Sequence, residues 1–92
     1  MNITDTSAFE ARVAAEGYAI VKRSIGASEG LDDHDHDYDV WGLVTDGEFR
    51  ITVDGETRRY PAGTDFRLAA GCSHSEQAGP AGASLVVGRL HR

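Results

Sequence analysis

Two aspartate–glycine pairs, Asp46-Gly47 and Asp54-Gly55, frame the segment that most restricts the fold. Between them Phe49, Ile51 and Val53 alternate with Glu48, Arg50 and Thr52. Successive side chains on a strand point to opposite faces, so the alternation describes a strand with Phe49, Ile51 and Val53 inward and the polar set outward. Asp-Gly is a strong signal for a two-residue hairpin, whose central residues need positive φ. The spacing therefore predicts a hairpin at each end of this strand.

The same punctuation continues along the chain. Tyr18–Ile25 is rich in β-formers and bounded by Gly17 and Gly26. Val40–Thr45 is a nearly continuous apolar run of strand length, and Glu56–Tyr60 is polar but β-compatible. Turns are expected at Pro61-Ala62-Gly63 and Gly79-Pro80-Ala81-Gly82. A short strand carries Phe66 and Leu68, a loop spans Ala69–His74, and Ala83–Leu90 is a closing apolar strand. Short strands at fairly even spacing describe an all-β barrel or sandwich. One helix precedes them over about residues 8–16. Ser7 and Glu10 form a capping-box pattern there, Gly17 stops the helix, and Phe9 and Val13 share one face that packs on the outside of the body. With 92 residues, no repeat and no linker, the expectation is a single domain over residues 1–92, its barrel spanning about 18–90.

Fifteen acidic against nine basic residues leave a net charge of −6. That balance opposes binding to nucleic acid, whose phosphates require Lys and Arg, and docking on an anionic membrane. No apolar run approaches the roughly 20 residues that span a bilayer. Cys72 is the single cysteine, so no intramolecular disulfide forms. Met1–Asp5 lacks the basic start and apolar run of a secretory leader. A cytoplasmic location is the expectation.

Between the first two strands lies Leu31-Asp32-Asp33-His34-Asp35-His36-Asp37-Tyr38-Asp39, with two of the four histidines and five aspartates in nine residues. On an extended chain His34 and His36 face the same way and converge on one ion, and imidazole nitrogen suits Fe, Ni, Cu or Zn. An HxH pair alone is a modest signal, since an acidic loop is more often simply solvated.

The wider pattern resembles the cupin family. His34-Asp35-His36, Val40 and Gly47 follow its first motif, and Gly63-x5-Ala69-Ala70-Gly71-x2-His74-x3-Ala78 follows its second, with fifteen residues between them. The resemblance implies a double-stranded β-helix, or jelly-roll barrel, and a divalent transition metal (Fe, Mn, Ni, Cu or Zn) on His34, His36 and His74. The departures are specific. The motif's glutamate ligand falls on Val40, which binds no metal, so a site of three neutral imidazoles is implied, with Asp39 as the candidate fourth ligand if the strand bulges. Ser28, Ala69 and Ala78 stand at the motif's glycine, proline and asparagine positions.

Tyr38, Trp41, Cys72 and Gln77 are candidates to line a ligand pocket. Core packing is the better reading for Trp41, and an inert buried thiol for Cys72. Arg50 and Arg67 fall on the outward parity, where a solvated face is expected. Three functions compete. The first is a metal-dependent, dioxygenase-like oxidoreductase acting on a small chelating molecule, with isomerase or lyase chemistry as a close relative. The second is a non-catalytic module that binds or senses a small molecule or metal. The third is a structural role through a homodimer, compatible with either of the others because pairing would cover open sheet edges.

Overall fold

Two long strands run side by side through the molecule, and every other strand pairs with one of them. The structure is a computed structural model and describes residues 5–91; the four residues before them, part of the stretch read above for a leader, and Arg92 lie outside it. The helix is α1 (Ser7–Ala15), and the strands are β1 (Ala19–Ile25), β2 (Gly30–His34), β3 (Tyr38–Val53), β4 (Glu56–Pro61), β5 (Asp65–Leu68) and β6 (His74–His91). The long antiparallel pair is β3 with β6, from Tyr38↔His91 to Thr52↔Ser75.

The outer edge of β6 pairs with β2 along its first part and with β1 along its second. The outer edge of β3 pairs with β5 along its first part and with β4 along its second. The result is two four-stranded halves, β1-β6-β3-β5 and β2-β6-β3-β4, each using one part of both long strands. One buried cluster joins them: Val40, Val44, Phe66, Leu85 and Val87 come from the first half, and Phe49, Ile51 and Ala78 from the second. Phe49 and Phe66 meet across it with ring centroids 5.3 Å apart. This is a jelly roll, and Phe49 and Ile51 are buried in it as their alternation predicts.

Two expected turns are different structures. Asp54-Gly55 is the hairpin between β3 and β4, with positive φ at both residues (51° and 79°) and Val53 opposite Glu56. Asp46-Gly47, by contrast, is no hairpin. Only Gly47 has positive φ (72°), and β3 continues through the pair with register shifts at Val44/Asp46 and Gly47/Phe49. An Asp-Gly pair serves either geometry, and here β6 supplies hydrogen-bond partners on both sides of it, so the strand bends instead of reversing. The expected turn at Gly79-Pro80-Ala81-Gly82 is likewise absorbed into β6, with Gly82 at φ 82°. The two bends lie against each other, since Gly47 pairs with Ala83.

The helix starts one residue early. The capping box on Ser7 does not form; Asp5 Oδ1 accepts hydrogen bonds from Ser7 N (3.1 Å) and Ser7 Oγ (2.6 Å), while Thr6 Oγ1 donates to Glu10 Oε2. Gly17 ends the helix at φ 92°, its N donating to Ala14 O. The helix covers the outer face of the first half. Val13 is fully buried there, and Phe9 and Tyr18 meet the Trp41 ring edge-on at 5.8 and 5.9 Å. Trp41 Nε1 donates to Asp65 Oδ2 at 2.9 Å, and Arg67 Cζ lies 3.6 Å from the ring centroid. Trp41→Phe is expected to cost about 1–2 kcal/mol by removing this charge-assisted hydrogen bond while keeping most of the ring packing. It should appear as a lower urea midpoint at unchanged slope.

Candidate metal centre

Pairing of β2 with β6 assembles the site. His34, the last residue of β2, stands directly opposite His74, the first residue of β6, and their ring centroids are 4.4 Å apart. His36 follows two residues after His34 on extended chain, 4.8 Å from the His34 ring and 5.3 Å from that of His74. Period-two geometry then brings in a carboxylate: Glu76, two residues beyond His74 on β6, shares its face. His34, His36, His74 and Glu76 each offer one donor atom, and the four atoms lie within 4.8 Å of one another. Imidazole nitrogen and carboxylate oxygen are the donor types that transition ions take.

The hydrogen bonds decide which nitrogens face this centre. His34 Nδ1 lies 2.7 Å from Asp32 O, and His74 Nδ1 lies 2.9 Å from Cys72 O. A carbonyl only accepts, so both Nδ1 atoms carry the hydrogen and donate it. In the neutral form each imidazole then presents an unprotonated Nε2, and the 3.1 Å hydrogen-bond contact of His74 Nε2 with Glu76 Oε2 requires a proton or a cation between them. Both Nε2 atoms point to the same oxygen, Glu76 Oε2, at 3.4 Å from His34 and 3.1 Å from His74. His34 Nε2 is buried and without a hydrogen-bond partner, as is Glu76 Oε1. The side chains of His74 and Glu76 are 0 and 6 % exposed. Two lone-pair nitrogens and a carboxylate so arranged repel one another unless a proton or cation lies among them. Donation of Nδ1–H to a backbone carbonyl is also how a metal-bound histidine is held in its tautomer. The residues present therefore fit a divalent ion.

Desolvation, and then the neighbouring His34 and His74, hold the pKa of His36 below the usual imidazole value; Glu76 acts the other way and Arg89 adds to the lowering. His36 is thereby favoured in the neutral form that ligates. Its ring stacks on Tyr38 at 4.7 Å and 21°.

A cavity of about 270 Å³ adjoins the cluster, lined by His34, His36, Glu76, Tyr38, Arg23 and Arg89 together with an apolar floor that includes Val40, Phe49, Phe66 and Val87. Of the pocket candidates, Tyr38 lines it. Trp41 does not, because odd parity beside inward Val40 turns it outward beneath α1. Cys72 lines a separate cavity with Arg58, Tyr60 and Arg67. Gln77 lies on the opposite parity from Glu76 and donates to Ser28 O at 3.3 Å. Asp39 lies outside the four-residue cluster; its Oδ1 accepts a hydrogen bond from Ala70 N at 2.9 Å, which ties β3 to the loop before His74.

Glu76, Arg23 and Arg89 were not singled out from sequence. Each was within reach of strand parity: Glu76 follows His74 by two, Arg89 follows Leu85 and Val87, and Arg23 lies between Val21 and Ile25. The cupin motif's asparagine position falls on Ala78, two residues beyond this carboxylate.

No family model matches the sequence, and no curated protein matches it. Solved structures do. The chain aligns with a cupin superfamily protein from Desulfitobacterium hafniense at a TM-score of 0.72 and 20% identity, covering 82% of this chain and 68% of that one. KdgF from Halomonas sp. aligns at 0.67 and 23% identity, covering 82 and 70%. The oxalate decarboxylase of Bacillus subtilis, an enzyme with Mn(II) centres, aligns at 0.72 and 24% identity over 80% of this chain and 21% of its own length. The likeness is one of architecture. The chain thus has the fold of these cupin structures, a jelly roll.

Proposed function

We propose that this protein is a small metal-dependent cupin that holds a divalent transition ion on His34, His36, His74 and Glu76 and uses it on a small chelating molecule. One observation carries the reading: the Nε2 atoms of His34 and His74 are both directed at Glu76 Oε2, with Nδ1–H of each occupied by a carbonyl. Three imidazoles and one carboxylate suit several first-row ions. Glu76 supplies the negative charge that a site of three neutral histidines lacks.

When bound, such an ion would polarise an oxygen of the ligand or bring dioxygen and substrate together. The chain's own contributions are separable from that. His36 and Tyr38 form one wall, the apolar floor excludes water, and the cavity size limits the ligand to a small molecule. Oxygenation of a diketone, enediol or phenolic compound is the favoured reaction class, supported by the resemblance to cupins.

The test is metal titration of the purified protein. One equivalent of a divalent transition ion is the expected stoichiometry. Failure to bind iron, manganese, nickel, copper or zinc on reconstitution overturns the reading. Oxygen uptake with diketones and catechols then addresses the reaction; metal binding without turnover of any of them favours the non-catalytic binding module.

A further inference from the structure

The cavity beside the metal cluster contains two arginines in unequal circumstances. Both lie at inward parity of their strands, where an apolar residue is the norm. Arg23 has a counter-charge: its Nη1 is 3.6 Å from Glu76 Oε1. Arg89 makes no ion pair or hydrogen bond among the described residues, and its Nε is buried without a partner. Its recorded neighbour is an aromatic face, with Cζ 5.3 Å from the Tyr38 ring centroid. Tyr38 in turn stacks on His36. A permanent cation thus stands one aromatic ring away from a metal-facing imidazole, in a half-apolar cavity, with an unmet donor.

A guanidinium cannot shed its proton at ordinary pH, so it cannot escape burial by neutralisation as a lysine can. Its planar fork matches a carboxylate by two parallel hydrogen bonds. Glu76 does not serve Arg89, because that carboxylate lies within the histidine cluster and its nearest arginine is Arg23. The counter-charge for Arg89 must then come from outside the described chain, and the cavity is the space available to it.

We propose that Arg89 is the anchor for the carboxylate of a small organic acid, whose other end carries the oxygens that chelate the metal. The substrate or ligand class is therefore a chelating acid and not a neutral chelator. Arg89 sets which chelators bind; the cluster sets that they chelate. The inference rests on the metal reading above for the second end of the ligand only.

Catechol and 3,4-dihydroxybenzoate are a matched pair of probes, because they share a chelating diol and differ by a carboxylate on the far side of the ring. Binding to the Zn(II)-loaded protein is measured by calorimetry, with metal content determined for every sample. The wild type is expected to favour the acid by about tenfold or more. Arg89→Gln should erase that preference and leave metal stoichiometry and catechol affinity unchanged, and Arg89→Lys should restore part of it. A wild type that binds the two probes equally, or a preference that survives in Arg89→Gln, overturns the proposal. If the wild type takes up no metal, the metal reading fails by itself. The carboxylate site is then read in metal-free protein with benzoate against benzamide, where a benzoate preference lost in Arg89→Gln sustains the anchor and its absence overturns it.

Discussion

His74→Ala is expected to abolish stoichiometric metal binding, and Glu76→Gln to weaken it by roughly 10- to 100-fold, whereas Asp39→Asn leaves it within about a factor of two, as expected for a side chain outside the cluster. His74 supplies one of the four clustered donors from a fully buried side chain, so its loss removes a nitrogen that no neighbour replaces. Glu76→Gln keeps the shape and removes the charge that offsets the ion. Asp39 is a conserved-volume control: its carboxylate binds the Ala70 amide and takes no part in the cluster.

The stability of the metal-free protein separates a ligand from a structural carboxylate. Glu76 is a buried charge with one oxygen lacking a hydrogen bond, facing two imidazole nitrogens. Neutralising it removes its desolvation penalty and also its 3.6 Å pairing with the partly exposed Arg23, two effects of opposite sign, so Glu76→Gln should change the metal-free midpoint little. Loss of metal-induced stabilisation should accompany this, because ligands that bind only the native state stabilise it by mass action. Thermal unfolding with and without Zn(II) reads both. A fall in metal-free stability with normal metal binding would show that Glu76 is a structural partner of Arg23 and His74.

Gly47→Ala is expected to destabilise the protein by about 3 kcal/mol or more. Two costs combine. At φ 72° an L-residue is disfavoured by about 1–2 kcal/mol. A Cβ would also fall 2.0 Å from Gly82 O, a backbone atom that cannot rotate away. Forced overlap of this kind typically adds about 1–3 kcal/mol. Gly55→Ala provides the control, because its φ is 79° and nothing lies within 4 Å of the added methyl. It should cost only the conformational part, about 1–2 kcal/mol. Against a total stability of about 5–15 kcal/mol for a domain, the difference between the two is readily seen in urea unfolding. Equal costs at the two positions would mean that the bends of β3 and β6 are not in close contact.

Local chemistry placed most strands. Phe49 and Ile51 face the core because alternation on an extended chain leaves no other arrangement that buries both. Asp54-Gly55 turns because both of its residues tolerate positive φ. His34 and His36 were recognisable as a pair from residue type and spacing, and the resemblance to the cupin motifs added His74. What sequence reading lacked was pairing partners. Asp46-Gly47 carries the same dipeptide signal as Asp54-Gly55, and Gly79–Gly82 reads as a turn by composition, yet both lie within continuous strands.

The division follows from the range of the interactions. Side-chain alternation, turn chemistry and the ligating capacity of imidazole are properties of a few consecutive residues, so the sequence by itself determined a β-rich barrel or sandwich and the His34/His36 pair, while the resemblance to the cupin motifs added the jelly roll and His74. The bends at Gly47 and Gly82 depend on pairing between residues far apart in the chain, such as Asp46 with Ser84 and Phe49 with Ala78, which only the packed β3–β6 pair supplies. The carboxylate of Glu76 joins the histidines because His34 falls opposite His74 across β2 and β6, and Arg89 has no ion pair among the described residues because Glu76 is taken up by that cluster. Charge pairing inside a barrel is a competition among residues from different strands, and only the tertiary structure decides which of them meet.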